Sequence, residues 1–215
     1  MRNSTIGFFG DSFCAGRESD SWCVLLAEKL KAAVVHWGEP GRSIWTTFFK
    51  FNQLNKANKL PDICVLCYTE PYRLYHPSVI LSANTDPVEG VDPKIYEALK
   101  QYWIHLHSYD KDEISYEYAI KWFDHDVLSK IKNKTIIQMW SFRPFETAGK
   151  DAGIKLKSGI FIDESLYASS LTEQAPAGGA TMPWGKGIIN HMNKEQNKMW
   201  ADKVYTIIKN NEQRS

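Results

Sequence analysis

A serine at the end of an apolar strand is the first candidate for chemistry in this chain. The run Ile6-Gly7-Phe8-Phe9 leads straight into Gly10-Asp11-Ser12. A strand entering a Gly-Asp-Ser turn carries the Ser12 hydroxyl to the edge of a sheet, near the start of a helix, which is how an α/β protein presents a nucleophile. Such a hydroxyl needs a base, most often histidine, and hydrogen-bond donors for the oxyanion that forms when it attacks a carbonyl. Six histidines are present. His191 stands out in Asn190-His191-Met192-Asn193, just ahead of the last helical stripe, although on its own it reads as a loop or capping histidine.

Other chemistries find less support. Cys64 and Cys67 form a C-x-x-C, but they lie in the apolar run Ile63-Cys64-Val65-Leu66-Cys67. On a strand, residues three apart face opposite ways, so the pair reads as small buried hydrophobes and not as metal ligands. Cys14 and Cys23 complete the four cysteines, a usage that fits a reducing compartment. His105-Leu106-His107 falls in a helical pattern where i and i+2 diverge, and Asp124-His125-Asp126 is expected on a solvent-facing helix surface. No metal is expected. There is no G-x-x-x-x-G-K-[ST] and no G-x-G-x-x-G. The turn also lacks the run of Gly, Ser and Thr that would cradle a flavin phosphate, so no cofactor is expected.

The chain has 215 residues, 43% hydrophobic and 24% charged, with a formal net charge of +1. That suits one domain over residues 1–215. Lys and Arg are scattered, so no nucleic-acid partner is implied. No apolar stretch approaches the roughly 20 residues of a membrane helix, and the first apolar run does not read as a signal peptide, so a cytoplasmic protein is expected. Eight Trp, ten Tyr and ten Phe supply core, with a groove for a flat ligand such as a sugar as the alternative use.

The elements that must position Ser12 alternate between strand and helix. Strands are expected at residues 5–9, Val34–Trp37, Ile63–Tyr68 and Thr135–Trp140. A first helix is expected to follow caps at Ser19-Asp20-Ser21 and to end near Lys31. A second starts after Ser43, with Trp45, Phe48, Phe49 and Leu54 on its apolar side. Residues from about 74 to 130 read as a helical and loop insertion, with Asp92-Pro93 opening a helix striped by Tyr96, Leu99, Trp103 and Leu106. Ala119, Trp122, Phe123, Val127 and Ile131 mark another helix. Residues 141–190 read as mostly irregular, with a surface loop at 175–180. The final helix starts at Asn193, whose spacing to Gln196 predicts a capping box. Strands alternating with helices imply a parallel sheet covered on both faces, with ligands bound beyond the carboxyl ends of its strands. Ser12, Gly41, Thr69–Arg73 and residues 141–146 should therefore converge.

Taken together, Gly10-Asp11-Ser12 after strand one, Gly41 in Gly38-Glu39-Pro40-Gly41 after strand two and His191 before the last helix resemble the blocks of the SGNH (GDSL-type) hydrolase superfamily of esterases and acyltransferases. The Phe-Gly-Asp-Ser-Phe-Cys form of the first block resembles that of phage-encoded members. The resemblance implies a flavodoxin-like three-layer α/β/α sandwich with a central parallel sheet. It also implies roles: Ser12 as nucleophile, His191 as general base and then acid, and the Ser12 and Gly41 backbone N–H groups as oxyanion donors. Asp11 would shape the turn.

Two departures from the family pattern bear on activity. The third block normally supplies an Asn oxyanion donor, but Tyr68-Thr69-Glu70-Pro71-Tyr72-Arg73 has none, leaving Thr69 or Arg73 as the substitute. Losing one such donor typically costs about 10² to 10³ in rate. The Asp three residues before the histidine is replaced by Ile188, leaving a Ser-His dyad with Asn190, a backbone carbonyl, Asp163 or Glu164 to orient the imidazole. Changing that acid in a triad enzyme can cost about 10⁴. The expected function is a serine esterase that hydrolyses or transfers a small acyl group such as acetyl on a hydroxylated, carbohydrate-like substrate. The alternative is a weakly active or inactive relative that binds a glycan or protein partner in the same cleft.

Overall fold

The computed structural model describes residues 4–16, 18–82, 89–142, 154–167 and 192–213. Five strands form one parallel sheet: β1 (Thr5–Phe9), β2 (Ala33–His36), β3 (Ile63–Tyr68), β4 (Thr135–Trp140) and β5 (Ile160–Ser165). Their order is β2-β1-β3-β4-β5, with all four pairings parallel. β3 is buried along its whole length, as its unbroken apolar run requires of a strand covered on both faces.

Alternation along the strands sorts side chains into two cores. Ile6, Phe8, Val65, Cys67, Ile137 and Met139 face helices α1 (Trp22–Leu30) and α5 (Lys194–Glu212), meeting Trp22, Leu26, Trp200 and Val204. Phe9, Cys64, Leu66, Tyr68, Ile136 and Trp140 face helices α2 (Ile44–Lys56) and α4 (Tyr109–Trp122), meeting Phe48, Phe51, Tyr116 and Ile120. Cys64 and Cys67 thus sit in opposite cores, and all four cysteines are free and buried. The result is the three-layer α/β/α sandwich expected from the sequence. Helix α3 (Pro93–His105) stands apart, packing through Leu99 on Val79 and Leu81.

Several local expectations need correction. The second strand starts one residue earlier than Val34 and ends at His36. Residues 141–190 contain β5, an edge strand whose apolar run is only Ile160-Phe161-Ile162 before Asp163 and Glu164, too short to announce itself. Ser21 occupies the N-cap position of α1 but makes no capping bond from its side chain. The first amide of that helix, Trp22 N–H, donates instead to Asn197 Oδ1 of α5 at 2.8 Å.

In α2 the buried stripe is Ile44, Thr47, Phe48 and Phe51, at i, i+3, i+4 and i+7. Trp45 and Phe49 lie one step around the helix, about 100° away, and are 39% and 51% exposed. Leu106 is also exposed, since α3 ends at His105. Beyond α4 the chain widens into a single π turn, Phe123–Val127. That turn directs Asp124 inward, where it accepts from Gln138 Nε2 at 2.7 Å and from the Lys157 and Ser158 amides at 3.0 Å each. His125 and Asp126 remain exposed. The Asn193–Gln196 capping box forms as expected, with both reciprocal bonds at 2.9 Å. The 175–180 loop lies outside the described residues.

At the amino ends of the strands, Asp62 ties three of them together. Its Oδ2 accepts from the Thr5 N–H and hydroxyl at 3.0 and 2.8 Å, and Lys134 Nζ stands 3.1 Å from Oδ1. The Thr5 donors first, then Lys134, hold the carboxyl down at about 2. A carboxyl depressed from its usual ~3.9 stabilises the fold above that value and loses its contribution as pH falls through the folded pKa. Because the group is half-exposed, that contribution is under about 1 kcal/mol. Urea midpoints of wild type and Asp62→Asn are expected to differ at pH 6 and to draw together as pH falls towards and below 2. Equal differences at both pH values would contradict the ionic account.

Candidate active site

The carboxyl ends of β1, β3 and β4 meet at Asp11. β1 gives way at Gly10, the residue after its last, where a Cβ would come 2.4 Å from the Cys67 carbonyl oxygen of β3, so only glycine fits. The Asp11 side chain is fully buried. Its Oδ1 accepts from the Phe13 N–H at 3.1 Å, capping a short 3-10 turn over Ser12–Cys14. The same oxygen accepts from Ser141 Oγ, just beyond β4, at 2.9 Å. Its Oδ2 accepts from Thr69 Oγ1, just beyond β3, at 2.8 Å, with Arg73 Nη1 at 3.4 Å. Asp11 thus caps its own turn and also holds residues that follow β3 and β4.

Ser12 follows on this support and is half-buried. The loop after β2 is fastened to the same turn by two backbone bonds. Gly38 N–H donates to Cys14 O at 3.0 Å and Glu39 N–H to Gly10 O at 2.8 Å. Gly41 sits in that loop at φ +74°, in the left-handed region that favours glycine, with Ile80 against it. Among the described residues neither the Ser12 nor the Gly41 N–H donates to a protein acceptor.

The strand-three loop divides its two candidates. Thr69 is buried and commits its one hydroxyl proton to Asp11. Arg73 bonds Glu70 Oε1 through Nε at 2.7 Å, approaches Asp11 through Nη1, and rests over the Phe142 ring at 5.8 Å. A guanidinium carries five N–H donors, so Arg73 keeps donors that Thr69 does not have.

His191, Asn190 and Ile188 lie outside the described residues, as do residues 143–146. The chain resumes at Met192, which is buried in the α1/α5 core. Asn197 Nδ2 donates to the Met192 and Asn193 carbonyls, both at 2.9 Å, while its Oδ1 accepts from Trp22 N–H. The residue directly after His191 is thereby tied to the start of α1. Asp163 accepts from Trp140 Nε1 at 2.9 Å, and Glu164 pairs with Lys203 of α5.

The cysteines are buried as well as free. Burial pushes the Cys14 thiol well up, and Cys23 and Cys64 up to about 12, which disfavours the reactive thiolate at neutral pH. Among the described residues no cluster of three or more His, Cys, Asp or Glu side chains could hold a metal ion, and no helix is long and apolar enough to cross a membrane.

Asp11→Ala would leave two buried hydroxyls and the Phe13 N–H without an acceptor and Arg73 without one of its two carboxylates. Removing one partner from a buried, bonded charge costs about 3–5 kcal/mol. Urea unfolding is expected to show a loss of that order, against a much smaller loss for Ser12→Ala. Equal effects would mean that Asp11 does not hold the strand ends together.

No family model matches the chain, and no curated protein matches it in sequence. Solved structures do match. An acetyl xylan esterase from the rumen bacterium Butyrivibrio proteoclasticus is 12% identical with a TM-score of 0.51, covering 98% of this chain and 64% of its own. A carbohydrate esterase is 16% identical with a TM-score of 0.45, covering 98% of this chain and 66% of its own. A G-D-S-L family protein from Desulfitobacterium hafniense DCB-2 is 15% identical with a TM-score of 0.43, covering 95% and 99%. The chain therefore spans about two thirds of the length of the two esterases it matches. With a five-stranded parallel sheet in the order β2-β1-β3-β4-β5, helices on both faces and a Gly-Asp-Ser turn at the end of β1, the chain has the SGNH (GDSL-type) hydrolase fold.

Proposed function

We propose that this protein is a serine esterase that removes or transfers a small acyl group, such as acetyl, from a hydroxylated carbohydrate. The observation that carries the reading is the placement of Ser12. It stands half-buried at the carboxyl end of β1, on a turn locked by the buried Asp11, with its own amide and that of Gly41 free among the described residues. Strands β2 and β3 leave β1 in opposite directions, so Ser12 marks the switch point where open parallel sheets bind their ligands.

In this reading Ser12 Oγ attacks the ester carbonyl while His191 takes the hydroxyl proton. The carbonyl oxygen becomes an oxyanion held by the Ser12 and Gly41 N–H groups, with Arg73 as third donor in place of the family's Asn. The ester C–O bond then breaks, the departing alkoxide receives the proton from His191, and an acyl-serine remains. Water, or another hydroxyl, attacks that acyl group with His191 again as base, regenerating Ser12.

The carbohydrate part of the proposal rests on exposed rings on and beside α2, the helix that follows the Gly41 loop. Trp45, Phe49 and Tyr75 are 39%, 51% and 43% exposed. Phe49 meets Trp45 at 6.2 Å and Tyr75 at 4.9 Å, and buried Phe48 backs Trp45 at 5.7 Å. Arg42 fixes the adjacent loop by donating to the His76, Ser78 and Val79 carbonyls. Exposed rings that are held against one another suit the flat C–H face of a sugar. A second reading, a binding protein without turnover, is favoured by one observation: the Thr69 hydroxyl is turned to Asp11 and there is no Asn beside it.

A fluorophosphonate probe and p-nitrophenyl acetate separate the two readings. Wild type is expected to label and turn over, and Ser12→Ala and His191→Ala to do neither. Wild type that behaves like Ser12→Ala would leave the binding reading standing. Arg73→Gln is expected to lower kcat by about 10² if it donates to the oxyanion. Trp45→Ala is expected to raise KM several-fold for an acetylated oligosaccharide while leaving p-nitrophenyl acetate turnover unchanged. A parallel change in both substrates would count against the sugar shelf.

A further inference from the structure

The connection between β3 and β4 carries helices α3 and α4, and α4 reaches back to the strand-three loop. Two polar side chains on α4, Glu113 and Tyr116, are buried. They are three residues apart and so share one helix face. Tyr116 donates its hydroxyl to the Thr69 carbonyl, and Tyr72 donates its hydroxyl to the Glu113 carboxylate. Burial pushes the Tyr116 phenol well up, so it stays a donor at any ordinary pH. From the other direction Asp11 accepts from the Thr69 hydroxyl and approaches Arg73. Residues 69–73 are thus gripped by α4 on one hand and by the residue preceding Ser12 on the other.

The grip has a directional consequence. The Thr69–Glu70 peptide is trans and planar. Fixing the Thr69 carbonyl on Tyr116 therefore fixes the orientation of the Glu70 N–H as well, and with it the start of the path to Arg73. The surrounding core is aromatic and aliphatic, where a phenylalanine would fill the same space. Packing alone does not call for the hydroxyl.

We propose that Tyr116, seconded by Glu113, is a positioning residue that sets the strand-three loop against Asp11 and so aligns Arg73 at the Ser12 site. The kinetic part of this inference rests on the serine-esterase reading. The part concerning the loop does not.

Tyr116→Phe keeps the ring and removes one hydroxyl, and Glu113→Gln keeps the shape of the other contact. For Tyr116→Phe, kcat per labelled active site on p-nitrophenyl acetate is expected to fall about tenfold with KM unchanged, as misalignment without lost binding predicts. Combining it with Arg73→Gln should cost less than the product of the two separate effects, because both act through one loop. Amide exchange at Glu70, Tyr72 and Arg73 should accelerate in Tyr116→Phe and in Glu113→Gln, while exchange in β1 stays as in wild type. Unchanged loop exchange overturns the proposal, and so does unchanged kcat in an enzyme that labels. Should wild type neither label nor turn over, the esterase reading fails, and the exchange measurement alone still decides whether α4 positions the loop.

Discussion

A buried carboxylate at the end of β1 is the constraint on which the rest of the site depends. Asp11 sits where three strands finish, in surroundings otherwise filled by Phe13, Cys14 and Cys67. An ion there is tolerable only if each lone pair is met and the charge is balanced. The donors come from residue 13 on its own turn, residue 69 after β3, residue 141 after β4 and Arg73. Meeting the electrostatic demand of one side chain therefore brings the three loops to fixed positions. Ser12, the next residue, inherits that order without making the bonds itself. Asp62 joins the opposite ends of the same three strands, but in partial contact with water, where the arrangement is worth far less.

Much of the fold was legible because it is written in local pattern. β1, β3 and β4 announce themselves as short apolar runs bounded by breakers. Asp92-Pro93 and Asn193 with Gln196 start their helices where capping chemistry places them. What escaped the sequence was decided by contacts distant along the chain. β5 is a strand because β4 offers it an edge, not because residues 160–165 insist on it. Asp124 reads as surface until Gln138 and the amides of residues 157 and 158 are seen to need an acceptor. Trp45 and Phe49 are apolar enough to suggest a core face, yet the sheet takes Phe48 and Phe51 from that helix and leaves the other two outside.

The site divides in the same way. The turn that holds Ser12 and the left-handed position of Gly41 could be picked out from a turn motif and a breaker-rich loop, since both leave local traces. The difference between Thr69 and Arg73 could not, because it depends on Asp11, 58 residues upstream, taking the one hydroxyl proton of Thr69 while Arg73 keeps further donors. Nor could the involvement of Glu113 and Tyr116. Both sit in a helix of weak amphipathic character, and their partners lie more than 40 residues upstream.

The bond between Asn197 and the first amide of α1 has a consequence for how the chain is assembled as it is made. The helix that follows the Gly10-Asp11-Ser12 turn receives its first cap from a side chain 175 positions later. The face of the sheet over Trp22 and Leu26 is likewise closed by Trp200 and Val204 of the last helix. During synthesis the sheet can pair β1, β2, β3 and β4 while this face is still open to solvent. The half of the molecule that carries Ser12 is thus completed only when α5 leaves the ribosome and docks. A nascent chain stopped short of α5 would hold most of its strands and expose the apolar face over Trp22 and Leu26, a state for chaperones to recognise.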